Sequence, residues 1–224
     1  MLCSISVLLL SGTFATAKAD TLYTSLKLQS GAAATLTQNA YGVGLVSDIF
    51  SIEFASPFMA PTFDSIATNI RVPVALDSGE NAFVLSVYSN NSTGPTTLLG
   101  KKIVQNVMLP GRGDPSYYWL DVQLPTGIAL VAGHSYSVGL RALDSADTFF
   151  LWLRPNTDLS VVNSYRDTTV LSGAWNSMYS YYPAAFEVIG VPSSVPEPAT
   201  ALMLLLGLAV TATSRIFLAV EKEA

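Results

Sequence analysis

"YYWLDVQLP", residues 117–125, repeats with a period of two. Tyr118, Leu120, Val122 and Leu124 point one way, and Trp119, Asp121 and Gln123 the other. Successive side chains of a strand leave on opposite faces, so this alternation describes a half-buried β-strand and not a helix. The same reading extends outward along the chain. "AFVLSVYS" from Ala82 puts Phe83, Leu85 and Val87 on one face. "SYSVGLRA" from Ser135 does so for Tyr136, Val138 and Leu140, with Ser137, Gly139 and Arg141 opposite. "TFFLWLR" from Thr148 is apolar on both faces, as a central strand is. Further strands are expected near Ile49–Phe54, Ser65–Val72, Ile103–Met108 and Ala185–Ile189. Turn-forming residues separate them: "DSGEN" at Asp77, "SNNSTGP" at Ser89, "LPGRGDP" at Leu109, "LPTG" at Leu124 and "VAGH" at Val131. Short strands between turns, without an amphipathic helix or an internal repeat, predict an all-β fold. The expected architecture is an antiparallel β-sandwich of jelly-roll type.

Both ends of the chain differ from this body. "MLCSISVLLLSGTFATAKAD" has an apolar centre at Val7–Leu10 and closes on Ala17-Lys18-Ala19, a small-x-small pattern. It predicts a signal helix over residues 1–19, cut between Ala19 and Asp20. No Lys or Arg precedes the apolar centre, which a start upstream of Met1 would explain. At the other end, Pro192 to Pro198 form a Pro/Ser linker, followed by the apolar run "ATALMLLLGLAV" from Ala199. Residues 199–220 predict a transmembrane helix with a short tail to 224, and Arg215 reaching back to the interface. Pro198 suits the first turn of that helix, where an N–H is unpaired in any case. The body is then residues 20–191, enough for one domain with a buried core.

Composition narrows the function classes. Only 12 % of residues are charged and the net charge is −5, so there is no basic stripe for nucleic acid. Cys3 is the only cysteine and falls in the signal segment, which leaves the body without a disulfide or thiolate metal site. His134 is the only histidine; without a Gly-x-Ser-x-Gly elbow or His-Glu-x-x-His, it reads as a turn residue. Asp144 and Asp147 in "LDSADT", with Asp158, are the candidate calcium ligands, although no dense Asp-x-Asp-x-Asp-Gly loop surrounds them and solvated loop carboxylates are the simpler reading. No other cofactor is expected. Trp119, Trp152, Trp175 and Tyr179 are candidates for a sugar-stacking platform, set against ordinary strand packing of aromatics. Facing carboxylates for glycoside hydrolysis have no sequence spacing that would reveal them. Arg112-Gly113-Asp114 is explained by turn chemistry, and Asn90 and Asn91 stand in sequon patterns.

"VPEPATALMLLLGLAVTATSR" resembles the PEP-CTERM sorting signal of Gram-negative bacteria. The resemblance rests on Val195, Pro196, Glu197 and Pro198, the apolar run 199–210, and Arg215. It implies an exported protein with an inner-membrane intermediate, processing by the membrane enzyme exosortase, and delivery to the cell surface or beyond, possible exopolysaccharide association included. Where the family ends in several arginines, this chain has Arg215 followed by "IFLAVEKEA"; an ordinary C-terminal anchor is the alternative. Three body segments, "FDSIATNIRVPVAL", "NAFVLSVYSNNSTGPTTLLGKKIV" and "IALVAGHSYSVGLRA", resemble choice-of-anchor surface modules, which implies a sandwich without an assigned chemistry. A non-enzymatic structural or adhesive role is therefore expected, with a carbohydrate-binding module as the alternative and a carboxylate-based hydrolase third.

Overall fold

In the computed structural model the described residues are 18–26, 36–47, 50–107, 118–143, 148–156, 161–168, 173–180 and 183–193. They form β1 (Asp20–Thr24), β2 (Leu36–Ser47), β3 (Phe50–Met59), β4 (Ser65–Ser78), β5 (Phe83–Asn91), β6 (Gly94–Val104), β7 (Tyr118–Leu130), β8 (Ser135–Ala142), β9 (Phe149–Pro155), β10 (Val161–Asp167), β11 (Asn176–Ser180) and β12 (Glu187–Pro192). All pairings are antiparallel and belong to one strongly curled sheet, ordered β1-β12-β4-β9-β2-β3-β8-β5-β6. β7 adds to β4, and the β10–β11 ribbon adds to β3. The body Lys18–Ser193 is one compact unit. The segments expected to form the two terminal helices lie outside the described residues. Among the described residues no helix is long and apolar enough to cross a membrane.

The curl comes from strands that change partner along their length, and prolines mark the changes. β4 pairs with β7 on one side from Ser65 to Val74. On its other side it pairs with β12 up to Arg71 and with β9 from Val74 onward. Pro73 falls between the two, opposite Trp119 of β7 but with neither β12 nor β9 on its other side, the kind of break where proline is found. Pro57 does the same on β3. There β10 pairs only as far as Ala55, while β8 continues opposite to Met59. The expected break at "LPTG" is instead a bulge: β7 runs on to Leu130 and shifts register against Ala67 and Asn69.

Two halves of the curl face each other across a core, in sandwich-like fashion. Phe83 of β5 meets Phe150 of β9 edge-on at 5.5 Å between centroids. Tyr23 of β1 packs on Phe58 of β3 at 5.3 Å. The expected faces hold: Phe83, Leu85, Val87, Tyr136, Val138 and Leu140 are all buried in this core. β9 lies between β4 and β2, the central place its apolar sequence implies. Trp152 is 0 % exposed and donates its Nε1–H to Ala185 O at 2.8 Å. β1 is closed at its C-terminal end by Ser25, which is also fully buried. Its Oγ accepts the Phe186 N–H at 2.8 Å and donates to Phe186 O at 3.1 Å.

Candidate functional site

On β3, Phe54 and Phe58 enter the core, so Glu53, Ala55, Pro57 and Met59 face the other way. The pairing Ala55–Gly139–Ser86 and Pro57–Ser137–Tyr88 carries this second face across β8 and β5. It is also buried over much of its area, because Glu53, Ala55, Ser86, Tyr88 and Ser137 are all inaccessible. This face has a closed, charged end at Glu53 and, beyond Pro57 and Met59, an open end that borders a separate groove.

Glu53 occupies the closed end and is 0 % exposed. Its Oε1 accepts the Tyr88 hydroxyl at 2.7 Å, and its Oε2 accepts Arg166 Nε at 2.9 Å and Nη2 at 2.7 Å. Arg166 Nη2 also reaches the Tyr88 oxygen at 3.1 Å. Trp175 covers the guanidinium at 4.6 Å and meets the Tyr88 ring edge-on at 5.4 Å. Burial, and then the neighbouring Glu53 charge, raise the Tyr88 phenol far above its ordinary range, so it stays a donor. Gly139 makes the arrangement possible. A Cβ there would lie 2.9 Å from Tyr88 Cε2 and 3.1 Å from Glu53 Oε1, so only glycine lets the ring cross β8 to the acid.

Such a carboxylate is occupied. Both oxygens are taken by donors, and the partners are a cation and a phenol rather than the second carboxylate that glycoside hydrolysis uses. Its evident physical work is to fasten the β10–β11 ribbon, through Arg166, to β3 and β5.

The groove beside the open end measures about 550 Å³. Tyr23, Met59 and Val162 supply apolar wall, and Asn90, Ser135, Ser164 and Ser177 supply amide and hydroxyl groups. Asn90 Nδ2 donates to Ser135 Oγ at 3.0 Å. Gly94 closes the β5–β6 turn over this groove with φ 127°, and a side chain there would meet Ser164 Oγ at 2.9 Å. Among the described residues of this lining the titratable side chain is Tyr23, whose pKa burial pushes up to about 12, so the described lining is uncharged at neutral pH.

Trp119, Trp152 and Trp175, the sugar-stacking candidates whose side chains are described, stand in three different environments. Trp152 is corrected outright: sealed in the core, it offers no ring face to a sugar. Trp119, half-buried on β7, lies under the Arg71 guanidinium at 5.5 Å. Arg71 in turn pairs with Glu187 at 2.7 Å. Trp175 is committed to Arg166 and Tyr88. Tyr179 stands opposite Val162 in the β10–β11 pairing. His134 is exposed in the β7–β8 turn, with Nδ1 3.1 Å from Ala132 O. Ala19 is exposed just before β1. Ala17, Asp144, Asp147, Asp158, the Arg112–Asp114 tripeptide and the sorting residues Val195, Pro196, Glu197, Pro198 and Arg215 lie outside the described residues. Among the described residues no three His, Cys, Asp or Glu side chains gather as a metal site.

Glu53, Tyr88, Arg166 and Gly139 were not marked as a site by sequence reasoning. One signal was present: in "FSIEFAS" a lone acid interrupts an apolar run, and a buried acid must have a partner.

Residues 194–217 match the PEP-CTERM protein-sorting motif. The match begins two residues after β12 ends at Pro192. The motif is that of an exported protein with a sorting signal, and it implies processing by exosortase, a membrane enzyme. No curated protein matches the chain.

Proposed function

We propose that the protein is a non-enzymatic structural or adhesive component of the outer cell surface or its matrix, with a sorting tail that delivers an antiparallel body of choice-of-anchor, jelly-roll kind. The observation that carries this reading is the sorting motif at residues 194–217, set directly behind the last strand of the body. The occupied state of Glu53 supports a body that binds or builds rather than catalyses. Cell fractionation with mass spectrometry of the mature C-terminus tests it. The expected result is envelope-associated precursor and a mature form cut within or near Val195–Pro198. Full-length protein confined to the cytosol would refute it.

The second reading is carbohydrate binding, and the uncharged groove favours it. Apolar wall suits the C–H faces of a sugar, and amide and hydroxyl groups suit its hydroxyls, with no charge to select an ionic ligand. Retardation in native gels containing a neutral polysaccharide is expected, and Ser177→Trp, at an exposed position on the groove, should abolish it. Equal mobility of both proteins in every gel would dismiss the reading.

A further inference from the structure

Three half-exposed apolar side chains gather where the chain leaves the body. Met59 is 55 %, Phe63 47 % and Val131 48 % exposed. β12 ends with Pro192 opposite Ser65, and Ser193 N–H donates to Asp64 O at 2.9 Å, so the exit lies beside Phe63. β1 begins at this same end, Asp20 standing opposite Gly190. The two loops that carry the apolar side chains are bound to one another. Gly133 N–H donates to Pro61 O at 2.8 Å, Ala60 N–H to His134 O at 2.9 Å, and Ala132 N–H to the Asp64 carboxylate at 2.8 Å. Phe63 and Val131 are thus held outward on a braced end, not on free loops.

From Ser193 only Ser194 to Pro198 intervene before the apolar run at Ala199. Fully extended, that stretch of chain reaches at most about 20 Å. A tail inserted in a bilayer therefore holds this end of the body within about 20 Å of the lipid surface. We propose that this end is a lipid-facing surface, with Phe63 and Val131, flanked by Met59, entering the interfacial layer while the tail is uncut. The proposal rests on the reading of residues 199–220 as membrane-inserted. Neither loop, "MAPTFD" or "VAGH", contains Lys or Arg. The contact is apolar apart from Asp64, whose carboxylate is held by the Ala132 N–H, and it draws no attraction from anionic headgroups, so salt does not weaken it. Cutting the tail removes the tether, and three side chains are too few to hold the body alone, so the same surface lets go on processing.

The test uses the chain from Asp20 to Ala224, the form left once residues 1–19 are cut and free of cysteine, reconstituted into phosphatidylcholine vesicles. An environment-sensitive fluorophore is placed at Phe63→Cys, at Val131→Cys, or at Glu80→Cys. Glu80 follows the far end of β4, roughly 40 Å away at the rise of an extended strand. Expected are a shift to shorter wavelength and loss of intensity with a lipid-borne quencher at positions 63 and 131, unchanged in high salt, and neither effect at position 80. Vesicles that float with the protein but show all three labels equally in water would overturn the lipid-facing surface and leave the anchor standing. Protein that fails to float would overturn both.

Discussion

Removing one member of the Glu53–Arg166 pair should cost more or less depending on which member is left behind. Arg166→Ala leaves a carboxylate that is wholly buried. Stranding one charge of a buried pair costs about 3–5 kcal/mol. The Arg166 side chain is 32 % exposed, so water entering the truncated site offsets part of this, and about 3 kcal/mol is expected. For a body of this size that lowers Tm by about 6–12 °C. Glu53→Gln strands the arginine instead, which water already reaches, and keeps an acceptor for Tyr88. Its expected cost is about 1–2 kcal/mol. Glu53→Leu, Arg166→Met and Tyr88→Phe together remove both charges and the buried hydroxyl that Glu53 accepts, and should fall within about 1 kcal/mol of the native protein, well above Arg166→Ala. Urea unfolding followed by far-ultraviolet circular dichroism at neutral pH gives the three values. Trp175 emission serves as a local reporter, since its ring lies 4.6 Å from the guanidinium. The reasoning fails if Glu53→Gln costs as much as Arg166→Ala, because desolvation of the carboxylate would then not be the deciding quantity. It also fails if the combined variant is the least stable of the three.

Other consequences are as direct. Gly139→Ala, whose Cβ would press on Tyr88 and Glu53, should destabilise by about 1–3 kcal/mol, measured by the same unfolding curves. Ser25→Ala removes the acceptor of the buried Phe186 N–H and should cost about 1–3 kcal/mol, with amide exchange rising first in β1 and β12. Tyr23 is raised to about 12 in the folded protein, against an ordinary value of 10.0. The folded state therefore holds its proton more tightly than the unfolded one, so stability is full below pH 10 and falls as pH rises from 10 toward 12. Tyr23→Phe should make that part of the stability profile shallower, leaving the slope that the raised Tyr88 contributes, as alkaline melting curves would record.

How far the sequence reveals the fold depends on which face of a strand is asked about. The core face of β5 and β8 is written in the alternation of Phe83, Leu85 and Val87 with Tyr136, Val138 and Leu140, and the structure buries all six. The other face is not written there. Ser137 and Gly139 look like solvent-side residues by polarity and size, yet both are buried, because Tyr88 and the β10–β11 ribbon come down over them. Small residues leave the room for that covering, and small size carries no periodic signal. β10 is opaque for a related reason. "VVNSYRD" has polar residues at buried positions, Asn163 and Ser164, and its pairing with β3 depends on a residue more than a hundred positions away. Trp152 and Trp175 show the same limit from the side of function. Each is a plausible sugar platform as a residue type, but one is consumed by the core and the other by an arginine.

The sorting tail can be read from sequence for the opposite reason: its signal is local and chemical. Pro192, Pro196 and Pro198 lack the N–H that a strand ladder needs, and β12 stops at the first of them. For Pro196 and Pro198 that lack is written in the sequence itself. The body meanwhile places its last strand between β1 and β4, with partners on both edges. A cut made beyond Pro192 therefore removes nothing from the ladder on either side. That separation lets one chain carry a finished β-body and a disposable address, and it predicts that Val195→Pro, which adds another non-donor, leaves the body's melting curve unchanged while altering only processing.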